Sequence, residues 1–291
     1  MRVRLAGGAA VASMLVAVLL VTLKSWAAWR TGSVAMLGSL ADSALDLIAS
    51  LATLIGVLVA AQPADREHRF GHGKAEAVAA MVQVMLITLS ASGIAWRSIV
   101  QWVDGTRVAA AGEGVLVSGV AIIATLALLA WQRYVIARTG SVAIKADNVH
   151  YQSDLLLNLG VIAALVLDQY LEIHWADPIF GLAIAGWLLW GAFAAAREAI
   201  DHLMDREWPE NKRRAFVERA SRHPELSRLH DLRTRTAGHL DFVQFHVDMP
   251  ARMSVGEAHD ILERVEADLA DAFPGTEILI HIDPEGHIDE P

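Results

Sequence analysis

The chain has 291 residues, of which 54% are hydrophobic, a formal net charge of −9 and no cysteine. It is more apolar than an ordinary soluble domain, and without cysteine it has no disulfide, thiolate metal site or cysteine nucleophile. Residues 1–200 carry 13 basic and 13 acidic side chains, whereas residues 201–291 carry 11 and 20. We predict a membrane domain, 1–204, and an acidic domain, 205–291, whose charge argues against nucleic acid as a partner.

Six apolar stretches are each long enough to cross a lipid bilayer, which takes about 20 helical residues. Basic residues favour the cytoplasmic side, and they gather at the N-terminus, in the loop 62–74 and around 133–145. The sequence therefore predicts a multi-pass protein with six transmembrane helices and with both termini in the cytoplasm. The predicted spans are 6–28, 33–61, 75–103, 112–136, 142–168 and 177–200.

After Trp208 the pattern becomes that of a small α+β domain. Apolar and polar residues alternate in its strands, and its second helix is amphipathic. The order helix–strand–strand–helix–strand predicts a compact sheet with helices on one face. The predicted helices are 209–221 and 255–272, and the predicted strands are 228–236, 240–249 and 276–283.

Four metal-binding side chains lie inside the predicted membrane spans. Asp42 and Asp46 are four residues apart in the second span, and His150 and Asp154 have the same spacing in the fifth, so each pair shares a helical face. One ionised group at mid-bilayer costs about 2.5–3.5 kcal/mol on insertion scales. Such a cost favours a functional site, although a polar network that joins helices is an alternative.

The two charged spans also share a sequence. Residues 30–35 and residues 138–143 both read Arg-Thr-Gly-Ser-Val-Ala, and the same offset carries Asp42 onto His150 and Asp46 onto Asp154. By the distribution of basic residues the two spans start on opposite sides of the membrane. We infer an inverted repeat, which in transporters places the site near the midplane.

One imidazole and three carboxylates form a plausible tetrahedral zinc site with no position left for a water nucleophile. Such a set resembles a binding station more than a catalytic centre, so we expect a transporter and not an enzyme. Metal must displace the imidazole proton. Metal and protons therefore compete for the site, which is the minimum requirement for their exchange.

Two further candidate metal sites lie outside the spans. Asp65, His68 and His72 fall within eight residues of the loop after the second span, although such loop residues are as often simply solvated. The acidic domain holds a second group, which can equally be scattered surface residues. Its members are His230, His246, His259, His281 and Asp283.

Taken together these motifs resemble the cation diffusion facilitator family, in particular its bacterial zinc and ferrous-iron efflux pumps. The resemblance covers essentially the whole chain, and the combination of motifs is specific. The motifs lie at 32–46, 70–76, 150–154, 230–235 and 280–284.

The resemblance implies six transmembrane helices and a ferredoxin-like, metallochaperone-like cytoplasmic domain, in a homodimer of the inner membrane. It implies efflux of Zn²⁺, and also Cd²⁺ or Fe²⁺, by proton antiport at Asp42, Asp46, His150 and Asp154. It assigns the loop residues to a second metal site and the five tail residues to a binuclear structural or regulatory zinc site. His239 and His287 fall outside the pattern.

Two other functions remain open at this stage. A membrane-anchored metal sensor would explain the tail histidines but not four ligands inside two spans. A membrane metalloenzyme would need a His-Glu-x-x-His motif or a nucleophile elbow, and the sequence has neither.

Overall fold

The computed structural model describes residues 2–31, 34–104, 115–171 and 175–286. The chain forms two compact units, Met1–Ile200 and Asp201–Pro291. Six long helices account for the first unit, in agreement with the six predicted spans, and the last of them continues three residues past the division. They are α1 (Arg2–Thr31), α2 (Val34–Ala60), α3 (Ala75–Asp104), α4 (Val115–Thr139), α5 (Val142–Leu171) and α6 (Ala176–Leu203).

Within the described ranges, five of these helices contain a stretch long and apolar enough to cross a membrane: α1, α2, α3, α4 and α6. Helix α5 carries the charged or titratable residues Lys145, Asp147, His150 and Asp154 in its first half. A helix with such residues is stable at membrane depth when its polar side chains face other helices. The side chains of Asp147 and His150 are indeed buried.

Small residues let the helices approach closely, as is usual where lipid surrounds the bundle. Ala9, Ala10 and Ala143 are completely buried in one cluster that joins α1, α2, α3, α4 and α5. At Gly56 on α2, an added Cβ atom would lie only 2.3 Å from the Cβ atom of Ala79 on α3. The spacing of α2 and α3 therefore depends on a glycine at this position.

The contacts between α2 and α5 run in opposite directions along the two helices. Asp46 meets His150, whereas Val57, about three turns further along α2, lies in one buried cluster with Ala143 near the start of α5. Ala143 precedes His150 by seven residues. Helices α2 and α5 are thus antiparallel, as the inferred inverted repeat requires.

The second unit has the predicted order of elements. It contains α7 (Glu210–Ala220), β1 (Ser227–Ala237), β2 (Leu240–Met249), α8 (Val255–Ala272) and β3 (Thr276–Pro284). The sheet order is β1-β2-β3, with β1 antiparallel and β3 parallel to β2. Ser254 caps α8 by a capping box with Glu257, which satisfies backbone donors at the start of the helix.

Strand alternation divides the sheet into two faces. Val243, Phe245 and Val247 of β2 pack with residues of both helices, such as Phe216 and Leu269, in the core of the unit. The side chains between them in sequence point the other way. His246 and Asp248 therefore lie on the face opposite to the helices, together with residues of β1 and β3.

Candidate metal centres

The first centre joins α2 to α5. The Nε2 atom of His150 lies 3.1 Å from Oδ1 of Asp46 and 3.9 Å from Oδ2 of Asp154. One ligand atom from each of these three residues lies within 4.8 Å of the other two. His150 is buried, and the two carboxylates are partly buried. The fourth predicted ligand, Asp42, lies on α2, but its side chain is outside the part that the structure describes.

These separations fit a tetrahedral metal ion. Bonds of 2.0–2.2 Å to zinc place two ligand atoms of a tetrahedron about 3.4 Å apart, between the 3.1 Å and 3.9 Å separations of His150 from Asp46 and Asp154. An ion can therefore enter with small side-chain movements. Each of the two helices contributes predicted ligands that are four residues apart. This spacing aligns the two side chains on one face of their helix.

One turn from His150, a network of buried polar side chains surrounds Asp147. Its Oδ2 atom accepts hydrogen bonds from Ser13 Oγ at 2.6 Å and from Gln132 Nε2 at 2.7 Å. Its Oδ1 atom accepts one from Gln83 Nε2 at 3.0 Å. All four side chains are completely buried. The network fixes α5 against α1, α3 and α4 because each donor comes from a different helix.

A second part of the network reaches α2. The hydroxyl groups of Tyr151 and Ser50 are 2.8 Å apart, and the Tyr151 hydroxyl also donates to the Ser13 carbonyl at 3.0 Å. Sequence patterns alone did not predict this network. The available signal was the polar residues Gln83, Gln132 and Asp147 within long apolar helices, but pairing them requires knowledge of which helices are neighbours.

The loop between α2 and α3 forms the second centre. Asp65 Oδ1 lies 3.4 Å from His68 Nδ1, and Asp65 Oδ2 lies 3.4 Å from His72 Nε2. The two imidazole rings are 4.4 Å apart. The structure therefore brings together all three predicted residues of this loop.

Local geometry prepares this loop for a cation. The Asp65 carboxylate accepts hydrogen bonds from the backbone amides of Glu67 and His68. The His68 amide is the main reason that the pKa of Asp65 lies below its usual value, which favours the ionised form. The Nδ1 atom of His72 is buried and has no hydrogen-bond partner. The other ring nitrogen of His72, Nε2, faces the ionised Asp65 carboxylate, a pairing that suits a metal site.

The third centre lies on the sheet face that the helices leave uncovered. Asp283 on β3 is at its middle: His246 Nδ1 is 2.9 Å, His281 Nε2 is 3.3 Å and His230 Nε2 is 3.5 Å from its carboxylate. Cα pairing aligns His246 with both His230 and His281. Burial raises the pKa of Asp283, but the hydrogen bond from His246 and the nearby imidazoles outweigh it, so the pKa lies below its usual value.

The structure corrects one part of the predicted tail cluster and adds to it. His259 is exposed on α8, and within one chain it does not join the group on the sheet. Two carboxylates that are not among the predicted ligands do approach the cluster on the sheet. Asp231 lies 3.7 Å from His246, and Asp248 lies 3.9 Å from His230. Asp248 follows His246 by two residues, so strand alternation could have identified it.

Strand β1 is irregular next to His230. Its pairing with β2 shifts register on both sides of this residue. Arg228 and Asp231 have φ angles of 48° and 45°, a conformation that residues other than glycine adopt rarely. Bulges of this kind redirect side chains and are common beside functional sites. Here the bulges place His230 and Asp231 near the same cluster.

Two family models together match nearly all of this chain. A cation efflux transmembrane domain matches residues 10–204, and a cation efflux protein cytoplasmic domain matches residues 208–285. These assignments agree with the membrane helices and the separate α+β unit.

Curated relatives match over the same length. A cation-efflux pump FieF from Cronobacter sakazakii is 42% identical over 281 residues, which cover 97% of this chain and 93% of the relative. Relatives of the same name from Klebsiella pneumoniae and Escherichia coli O1:K1 are 41% identical over equal shares. Their name confirms the expectation of a transporter and not an enzyme. The chain belongs to the cation efflux family, as a multi-pass membrane transporter with a C-terminal cytoplasmic domain.

Proposed function

We propose that the protein exports divalent transition metal ions, Zn²⁺ foremost and also Cd²⁺ and Fe²⁺, across the bacterial inner membrane in exchange for protons. The transport site consists of Asp42, Asp46, His150 and Asp154. The observation that carries the proposal is the convergence of Asp46, His150 and Asp154 from two antiparallel helices, with ligand atoms within 4.8 Å. The names of the relatives support metal efflux.

The ligand chemistry favours zinc and its neighbours. Imidazole suits zinc, copper, iron and nickel, whereas sites made only of oxygen atoms suit magnesium, calcium and manganese. His150 supplies the nitrogen that distinguishes this site from an all-carboxylate site. The chain has no cysteine, so softer thiolate coordination does not contribute.

Proton exchange follows from the same ligands. A metal ion binds only to deprotonated imidazole and ionised carboxylates, so each binding event displaces protons. When the site opens to the more acidic side, protons compete with the metal for His150 and the aspartates and promote its release. A proton gradient directed inward therefore drives metal outward.

We assign regulation to the centres outside the membrane. Zinc at His230, His246, His281 and Asp283 would neutralise part of the acidic charge of the tail. In a homodimer, two such tails repel each other until metal binds. His259 would then belong to the binuclear site only if the partner chain or a movement of α8 brings it close. The loop centre at Asp65, His68 and His72 is a second cytoplasmic binding station.

Zinc uptake into proteoliposomes under an imposed pH gradient tests the transport proposal. We expect gradient-dependent uptake by the wild type, at least about a hundredfold less uptake with Asp46→Asn, and near-normal uptake with Asp201→Asn. Asp201 is the matched control because it is a carboxylate outside the site, paired with Arg206.

Two other results would contradict the proposal. Uptake that is equal in Asp46→Asn and wild type would exclude Asp46 from the route of the ion. If the wild type binds zinc but does not transport it, the protein would be better explained as a membrane-anchored metal sensor. A sensor would also keep its function in the variant Asp154→Ala.

A further inference from the structure

A lysine inside the membrane domain is not explained by the metal centres. Lys24 lies in the apolar segment Arg2–Arg30 of α1. Its Nζ atom donates a hydrogen bond of 2.6 Å to Oγ of Ser43 on α2. Ser43 is completely buried, so the charged end of the lysine is directed at the interior of the helix bundle.

The direction of this side chain is opposite to that of a lysine that reaches for water. Lys24 is seven residues from the end of α1 at Thr31, about 10 Å along the helix axis. Ser43 is nine residues from the start of α2 at Val34, about 14 Å along it. The side chain therefore reaches deeper into the bundle, whereas a membrane lysine usually extends to the nearer interface.

The same end of α1 has the residues that mark a membrane interface. Trp26 and Trp29 are exposed there, and the guanidinium of Arg30 lies over the ring of Trp26. Tryptophan and arginine concentrate at the level of the lipid headgroups. Arg30 therefore marks the level at which this end of α1 reaches water. Lys24 lies more than one helical turn further into the membrane-spanning part of α1.

The hydrogen-bond partner of Lys24 adjoins the transport site. Ser43 directly follows Asp42 and precedes Asp46 by three residues. Residues three apart on a helix have neighbouring side chains, with Cβ atoms about 5–6 Å apart. The ammonium group is thus held beside the turn of α2 that carries two of the proposed ligand carboxylates, and its hydrogen-bond partner is completely buried.

The charges of the site explain why a cation belongs there. Three ionised aspartates and a neutral histidine carry −3, so a bound divalent ion leaves −1 in a medium where an unpaired charge is costly. We propose that Lys24 is the fixed counter-ion of the transport site: it balances the remaining −1 of the metal-loaded state and weakens metal binding enough for release. This inference rests on the proposed function.

The expected effect has an unusual sign. A nearby positive charge repels the metal ion, and in a poorly screened site this repulsion is strong. Removing the charge should therefore tighten metal binding, whereas removing a merely structural contact would weaken binding or abolish transport. Transport requires a site that releases its ion as well as binding it.

The test is the zinc dependence of uptake in proteoliposomes. We expect both Lys24→Met and Lys24→Gln to lower KM by about tenfold or more without raising kcat, and Lys24→Arg to keep KM within about threefold of wild type. Met keeps the length of the side chain but loses the hydrogen bond and the charge, whereas Gln can keep the hydrogen bond. Lys145→Gln is the matched control because it removes the same charge from an exposed pair with Glu198.

Each outcome bears on one of the two proposals. A KM that is unchanged or raised in Lys24→Gln, with normal uptake by the wild type, overturns the counter-ion role alone. A lower KM in Lys24→Met but not in Lys24→Gln would assign the effect to the hydrogen bond and also overturn it. Absence of uptake by the wild type would overturn the proposed function itself.

Discussion

Ser13 on α1 and Asp147 on α5 are joined by a hydrogen bond of 2.6 Å in the completely buried interior of the membrane domain. Asp147 precedes His150 by three residues, so this bond anchors the helix that carries two of the proposed metal ligands. Gln132 donates to both partners. The proposed metal site therefore adjoins a buried polar network that joins α5 to α1, α3 and α4.

Replacing Asp147 should destabilise the whole membrane domain. Asp147→Ala removes a shared acceptor from Ser13, Gln83 and Gln132, each of which keeps at least one other acceptor. We expect the loss of these buried hydrogen bonds to cost about 1–3 kcal/mol, measured as a lower temperature of unfolding in detergent. Ser92→Ala is the control because its hydroxyl is exposed and makes a single bond within α3. Equal stability of the two variants would show that the network contributes nothing.

The contact between Gly56 and Ala79 allows a test of helix spacing. In Gly56→Ala the new methyl group would overlap Ala79, whose Cβ is 2.3 Å away, and overpacking of this kind costs about 1–3 kcal/mol. Gly93→Ala on α3 should be neutral or stabilising because nothing lies within 4 Å of the added atom. Combining Gly56→Ala with Ala79→Gly should recover part of the lost unfolding temperature, since the carbonyl oxygen of Ala75 remains 3.1 Å from the added atom. No recovery at all would show that the steric explanation is wrong.

Metal preference should follow the single nitrogen ligand. His150→Asp converts the site to oxygen ligands only, which favours harder ions such as Mn²⁺. We expect zinc uptake to fall at least about tenfold while manganese uptake rises above that of the wild type. His150→Asn, which adds no charge, should lose zinc uptake without gaining manganese. Retention of zinc selectivity by His150→Asp would mean that His150 does not choose the ion.

The membrane helices and the candidate metal groups could be predicted from the sequence because their signals are local. Spans follow from long apolar runs, and a spacing of four residues places Asp42 with Asp46 and His150 with Asp154. The loop cluster is local as well, since Asp65, His68 and His72 lie in one turn. Strand alternation alone is enough to place His281 and Asp283 on one face of the sheet.

What the sequence could not provide was the pairing of distant elements. The Asp147 network joins Ser13, Gln83 and Gln132 across up to 134 residues, and no periodicity identifies those partners. The register of β1 shifts on both sides of His230, so the approach of Asp231 to His246 depends on bulges that a regular strand would not have. His259 is one of the predicted tail ligands, yet its helix packs on the opposite face of the sheet.

The tail centre should depend most on the residue that contacts all three histidines. Asp283→Asn keeps the shape of the side chain but removes its negative charge. It also leaves one oxygen atom, in place of two, to accept hydrogen bonds or bind a metal ion. We expect zinc affinity of the tail, measured in an Asp46→Ala background, to fall about tenfold or more. Asp271→Asn on the exposed end of α8 is the control. A normal zinc affinity in Asp283→Asn would place the tail metal elsewhere.

The stability of the tail in acid should depend on Asp268, which joins the two helices. Its carboxylate accepts hydrogen bonds from Nε of Arg219 at 2.8 Å and from His223 at 3.0 Å. The bond from Arg219, followed by that from His223, lowers the pKa of Asp268 below its usual value of 3.8 despite some desolvation. The native state therefore binds fewer protons at this group than the unfolded state does. The stabilisation is complete above the usual value and disappears as the pH falls through the lower native value.

Hydrogen exchange of the segment 210–220 in the full-length protein measures this effect. In the wild type, protection corrected for intrinsic exchange should fall between about pH 5 and pH 2. Asp268→Asn should show lower protection at neutral pH and a flatter dependence over that window, because it lacks the titrating group. Asp271→Asn should follow the wild type, since Asp271 is exposed on α8. If Asp268→Asn kept the full acid dependence, other carboxylates would have to account for it, and the contact of Arg219 with Asp268 would have no part in the acid stability of the tail.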